Sequence, residues 1–287
     1  MLHAAPAVER MEPYGAEHFA ALALTIALIV VLPRLVRRAR DQRLVERWMS
    51  VAGWALLVIT VLWTVWGMLP HNYDVLESLP LHFSDALRVI TAVALIRRSG
   101  WAIAVSYFWG LTLNLQSMLT PDLTYAFGVP WLDSAMYWIL HITVMVAPVV
   151  LVWGLGYRPT WFGYGTAFAL AVGWAGLALV ANGAIGANYG YLSYAPEGPT
   201  LLDVLGPWPI YILWEAVLVA SVWALMTWPW TTARSIASAP IDDRLGIVRR
   251  KRLGAVRPLA SVARNARGRR RTGVATQEAA TPETATL

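Results

Sequence analysis

The residues able to do chemistry are few, and apolar sequence surrounds them. The run Leu81-His82-Phe83-Ser84-Asp85-Ala86-Leu87-Arg88 offers an imidazole, a hydroxyl, a carboxylate and a guanidinium in close succession. His82, Asp85 and Arg88 recur at i, i+3 and i+6, which puts them on one helical face with Ser84 beside them. Further along stand Asn114 and Gln116, then Asp133 and His141, then Asn182, Asn188 and Tyr189, and finally Tyr211 and Glu215. A hydroxyl nucleophile, a histidine base and amide donors for an oxyanion are the parts of acyl transfer. In that assignment Ser84 attacks, His141 takes its proton, and His82 or Asp85 orients the base. Asn114, Gln116 and Asn182 hold the carbonyl, and Arg88, Asn188, Tyr189, Tyr211 and Glu215 line the substrate site.

Several other chemistries are excluded or disfavoured. With no cysteine in the chain, a thiolate nucleophile, a thiolate metal site and a disulfide framework are all absent. A retinal Schiff base needs a lysine in the last span, and the only lysine is Lys251, near the C-terminus. Phosphate-loop, G-x-S-x-G and H-E-x-x-H motifs are missing. His82, Asp85, His141 and Glu215 provide no i, i+4 ligand pair on one helix, so neither a metal nor a cofactor is expected. Each polar residue also has a structural reading. Asp85 and Arg88 neutralise each other, Ser84 bonds back to its own helix, and Asn114, Gln116 and Asn182 tie helices together. His141 on this reading is a buried neutral imidazole with one partner.

These groups must be positioned by lipid-spanning helices. The chain has 287 residues, of which 57% are hydrophobic and 14% charged, against roughly 25% charged in an ordinary soluble domain. Seven stretches approach the ~20 residues a transmembrane helix requires. They are 18–36, 51–69, 80–96, 101–119, 133–153, 162–186 and 208–228. The first lacks a basic leader region and a cleavage site, so it reads as a true span.

Arginines fill the first loop (Arg34 to Arg47), the third (Arg97, Arg98), the fifth (Arg158) and the C-terminal segment. The second, fourth and sixth loops hold none. This alternation predicts an extracytoplasmic N-terminus and a cytoplasmic C-terminus, in the cell membrane. It divides the chain into an outer segment 1–17, a seven-helix bundle 18–230 and a basic disordered tail 231–287. The net charge of +6 thus reports orientation, with anionic lipid headgroups at the tail and no nucleic acid as partner. In this topology every polar group above falls in the outer half of its helix, which predicts a polar cavity open to the outer face. Gly165, Ala169, Gly173 and Gly176 read as a close-packing face of the sixth span.

The blocks Leu-Pro-Leu-His-Phe-Ser-Asp (79–85), Tyr-Phe-Trp-Gly-Leu (107–111), Leu-Thr-Pro-Asp (119–122), His141, Asn-Tyr-Gly-Tyr-Leu (188–192) and Leu-Leu-Asp-Val-Leu-Gly-Pro-Trp-Pro-Ile-Tyr (201–211) resemble the YwaF-like integral membrane proteins. The resemblance runs over residues 15–230 in block order. It implies seven helices and kinship with a vertebrate acyltransferase that remodels ether phospholipids. It also implies a Cys–His catalytic pair, and this chain has Ser84 where the cysteine is expected. Serine depends on a base far more than cysteine does, because its hydroxyl is scarcely ionised near neutral pH. The rival expectation is a non-enzymatic lipid or small-molecule binding or transport protein on the same fold.

Overall fold

Apolar side chains cover this protein outside as well as inside. In the computed structural model residues 11–75, 78–121, 123, 125, 129–195, 202–231 and 247–249 are described. The helices are α1 (Ala16–Arg38), α2 (Gln42–Gly67), α3 (Phe83–Arg97), α4 (Gly100–Leu111), α5 (Leu113–Leu119), α6 (Pro130–Val149), α7 (Trp161–Ile185), α8 (Leu202–Leu205) and α9 (Ile210–Thr227). Because α5 continues α4 and α8 is a single turn, the architecture is all-α with seven helices among the described residues. Five segments are long and apolar enough to cross a membrane: Ala16–Arg38, Gln42–Gly67, Pro130–Gly154, Trp161–Ile185 and Ile210–Trp230. At 15 residues, α3 rises only about 22 Å, short of a ~30 Å hydrocarbon core.

The sequence explains where these helices begin, bend and stop. Asp41 accepts from the N–H groups of Arg43 (2.9 Å) and Leu44 (3.1 Å), so α2 begins at Gln42, nine residues ahead of the apolar run that starts at 51. Thr160 caps α7 through Gly163 N–H, and Gly186 ends it at φ +73°, a conformation that glycine adopts freely. The fourth expected span is broken at Thr112 (φ −124°, ψ −69°). There the Thr112 hydroxyl bonds the Phe108 carbonyl at 2.5 Å and accepts from the Trp223 indole at 2.9 Å. The sixth helix by order, α6, ends in a π-turn, Val150–Gly154, two residues beyond Pro148.

At the centre is α4, buried at every position from Ala102 to Gly110. Close approach explains this. A Cβ on Gly110 would lie 2.5 Å from the Val144 carbonyl, so α4 meets α6 backbone to backbone. Gly53 does the same for α2 against α3, where a Cβ would lie 2.8 Å from Leu95 and Ile96. Around this core, α1, α2, α7 and α9 turn Leu24, Leu62, Val180 and Leu213 outward, each more than half exposed. A water-facing surface would not be built this way, whereas lipid suits it. The expected packing face of α7 is not used. Gly165, Gly173 and Gly176 have nothing within 4 Å of an added Cβ, and Ala169 is exposed. Small residues permit close packing, but they do not supply a neighbour.

His18 pins the start of α1 to α5. Tyr14 N–H donates to its Nδ1 (3.0 Å), so Nε2 carries the hydrogen and donates to the Met118 carbonyl at 2.8 Å. From the C-terminal segment, Ile247–Arg249 forms a short strand antiparallel to Tyr157–Pro159. The rest of the expected tail beyond Thr231, together with Asp122, lies outside the described residues.

Candidate functional site

His82 precedes α3, and its backbone N–H donates to Asp85 Oδ2 at 3.0 Å. Asp85 Oδ1 accepts from Arg88 Nη1 at 2.9 Å, and Arg88 Nη2 donates to Ser84 Oγ at 3.2 Å. The four residues predicted to share one helical end are therefore joined in a chain of contacts. Arg88 is 8% exposed, and its Nε–H is buried without an acceptor. The ion pair lowers the cost of burying this cation, but Nε leaves part of it uncompensated.

The break at Thr112 re-aims the next two residues. On α5, Asn114 and Gln116 stand two positions apart, about 200° around the helix. Asn114 turns to α6. Its Nδ2 donates to the His141 carbonyl at 3.1 Å, and its Oδ1 faces His141 Nδ1 at 2.7 Å. A carbonyl only accepts, so the first bond fixes the orientation of the amide. Oδ1 must then be the acceptor of the second bond. Nδ1 carries the hydrogen, and the lone pair of His141 lies on Nε2. Among the described residues Nε2 has no hydrogen-bond partner. Gln116 turns to α9, where it lies near Glu215.

Tyr137, one turn before His141, packs its ring on the imidazole at 4.3 Å and donates its hydroxyl to the Ser117 carbonyl at 2.6 Å. Sequence reading passed over Tyr137; its i, i+4 spacing from His141 was the available signal. The Thr91–Ser106 hydroxyl pair, 3.0 Å apart and buried between α3 and α4, was passed over too. His141 is electrostatically coupled to Arg88 and His82, so the two halves of the cluster share one neighbourhood. Ser84 is not hydrogen-bonded to His141; its bonding partner is Arg88.

The remaining expected residues serve the connection between α7 and α9. Asn182 uses both ends of its amide on the Tyr189 backbone, at 3.0 and 2.8 Å. The Tyr189 hydroxyl donates to the Val75 carbonyl (2.7 Å) and accepts from Leu79 N–H (3.2 Å), while its ring meets His82 edge-on at 4.8 Å. Asn188 folds residues 193 and 194 back on itself through their backbone groups. Tyr211 donates to the Tyr191 carbonyl. These contacts position the His82 end of α3. Each of Asn182 and Asn114 spends one of its two amide hydrogens, on the Tyr189 and His141 carbonyls respectively.

The polar groups form a packed cluster, with His141 4% and Asn114 3% exposed. Two surface cavities lie elsewhere. One, of about 370 Å³, is walled by Glu17, Trp131, Ser134 and Trp138. The other, of about 580 Å³, is walled by Arg43, Glu46, Arg47 and Arg98.

A model of the TMEM164 family matches residues 13–227, which include every helix from α1 to α9. The chain belongs to that family and is a multi-pass membrane protein. No curated protein and no solved structure matches it.

Proposed function

We propose that this TMEM164 family protein is a lipid-acting acyltransferase or acyl hydrolase, with the His141 imidazole as its base. The observation that carries the reading is the fixed tautomer. Asn114 commits the Nδ1 hydrogen and leaves the Nε2 lone pair without a partner among the described residues. An amide behind an imidazole is the orienting arrangement of a nucleophile–base–orienter triad. This assigns orientation to Asn114, where His82 or Asp85 was expected from sequence. In the reaction the Ser84 Oγ–H proton passes to Nε2 as Oγ bonds the acyl carbon of the donor lipid. The proton then goes to the departing lysolipid oxygen as its bond to the acyl carbon breaks; an acceptor lysolipid hydroxyl, or water, next gives its proton to Nε2, bonds the acyl carbon and displaces Oγ, which takes the proton back. Arg88 Nε–H, the Gln116 amide and the second amide hydrogens of Asn114 and Asn182 are the donors for the ester and headgroup oxygens. The resemblance to YwaF-like proteins supports the same reaction class. The arginine alternation supports seven spans with the N-terminus outside, in the cell membrane, and a tail against anionic headgroups.

Acyl exchange between lyso- and diacyl-phospholipids, followed by mass spectrometry on purified protein, tests the assignment. His141→Ala and Ser84→Ala should each lower turnover by about 10²-fold or more, the scale of a lost general base. Ser84→Cys should retain turnover. Equal turnover by Ser84→Ala and the parent removes Ser84 from the mechanism.

One observation favours a second reading: the Ser84 hydroxyl is held by Arg88 and not by His141. On that reading the protein binds or moves lipids without chemistry. Lipid then co-purifies without turnover, and Ser84→Ala leaves binding intact.

A further inference from the structure

At the other end of α3, about 24 Å along the helix from His82, lies a second charged locus. Arg43, Glu46, Arg47 and Ser50 stand at i, i+3, i+4 and i+7, one face of α2. Arg98 closes over that face from the α3–α4 corner, where its backbone takes a left-handed conformation (φ +53°). Its Nη1 donates to the Glu46 carbonyl at 3.1 Å and to Ser50 Oγ at 3.3 Å. These two bonds fix the guanidinium. Its Nε and Nη2 have no partner among the described residues, and neither Arg43 nor Arg47 pairs with a carboxylate there. The cavity between them measures about 580 Å³ and is lined by three arginines and one glutamate.

The same face of α2 continues into the apolar region. Val51 walls the cavity, and Trp54 and Val58 follow at the next two turns, 56% and 52% exposed. A charged socket therefore opens directly onto a vertical apolar strip. That sequence of chemistry, anion acceptor and then hydrocarbon track, fits an amphiphile.

We propose that this cavity binds the phosphate of an anionic phospholipid headgroup, with Arg98 as the fixed donor and Arg43 and Arg47 as flanking cations. The acyl chains of that lipid lie along Val51, Trp54 and Val58. Guanidinium groups suit phosphate because their planar fork donates to two oxygens at once. The site lies outside the His141 cluster, so its occupant is a resident lipid and not the acyl substrate.

The test uses the full chain in nanodiscs of phosphatidylcholine with increasing phosphatidylglycerol, with lipid bound per protein read by native mass spectrometry. Saturable retention of phosphatidylglycerol is expected. Each arginine near a charged lipid surface contributes about fivefold in affinity, so Arg43→Gln/Arg47→Gln should weaken retention roughly 25-fold and Arg98→Gln at least fivefold. A tail variant, Arg249→Gln/Arg250→Gln/Arg252→Gln, should keep it. Arg43 and Arg47 are exposed, so their double variant retains the fold even if Arg98→Gln does not. Loss of retention in the tail variant alone overturns the proposal, as does equal retention in all variants. Displacement of the lipid by millimolar inorganic phosphate assigns the pocket to free phosphate and overturns the lipid assignment.

Discussion

Replacing Asn114 with leucine tests the arrangement on which the proposed chemistry depends. The substitution keeps the branching and the heavy-atom count of the side chain and removes both bonds to His141, at 3.1 and 2.7 Å. The His141 carbonyl loses an extra donor, a small loss. The Nδ1–H loses its only acceptor in a residue 4% exposed, and a stranded buried donor costs about 1–3 kcal/mol. Interhelical hydrogen bonds in membranes average nearer 0.6 kcal/mol, so a total of about 1–3 kcal/mol is expected. On soluble-protein scales that lowers Tm by roughly 2–9 °C, measurable by thermal unfolding in detergent.

The sharper assay is nitrogen NMR of histidine-labelled protein. His141 should show hydrogen on Nδ1, and His18 should show the opposite tautomer, because Tyr14 N–H occupies its Nδ1. The chain therefore carries its own reference signal. In Asn114→Leu the His141 signal should move toward the Nε2–H tautomer that free imidazole favours, while that of His18 stays in place. A parent protein with the hydrogen on His141 Nε2 would refute the reasoning, since that nitrogen could then accept nothing.

Two further outcomes follow from packing and charge. Gly110→Ala should destabilise by about 1–3 kcal/mol, because a Cβ 2.5 Å from the Val144 carbonyl forces α4 and α6 apart, whereas Gly173→Ala, with open space around it, should leave Tm unchanged; equal shifts would contradict the packing described. Asp85→Asn should cost more than Asp85→Asn/Arg88→Gln together, because the single change strands a buried guanidinium; a strictly additive double-mutant cycle would rule out the coupling.

Hydropathy located five of the seven expected spans among the described residues, because those helices are apolar over their whole length. Other features depended on partners distant in sequence. Gly110 stands two residues ahead of the break at Thr112, yet a tryptophan 111 residues away shapes that hydroxyl's surroundings. The glycine stripe of α7 looks like a packing face in sequence, yet only a neighbour at the right rotation could make it one. The site was legible as residue types at one end of several helices. Which residues touch was not, since that turns on helix phase: Asn114 and Gln116 are near neighbours in sequence and serve different helices. The contact of Asn114 with both the ring and the carbonyl of His141 was hidden for the same reason. Tyr137 was missed because an aromatic residue in a span usually reads as packing.

The enclosure of α4 also sets a schedule for biosynthesis. Thr112 is made long before Trp223, which bonds it across 111 residues. At ~5–20 residues per second, the ribosome needs about 6–22 s to close that gap. Through this interval α4 lacks the Trp223 ring that later packs on Phe108 and the indole that bonds Thr112. A pause or truncation between α6 and α9 would leave an unfinished bundle with an open seam, the form that membrane quality control is equipped to seize.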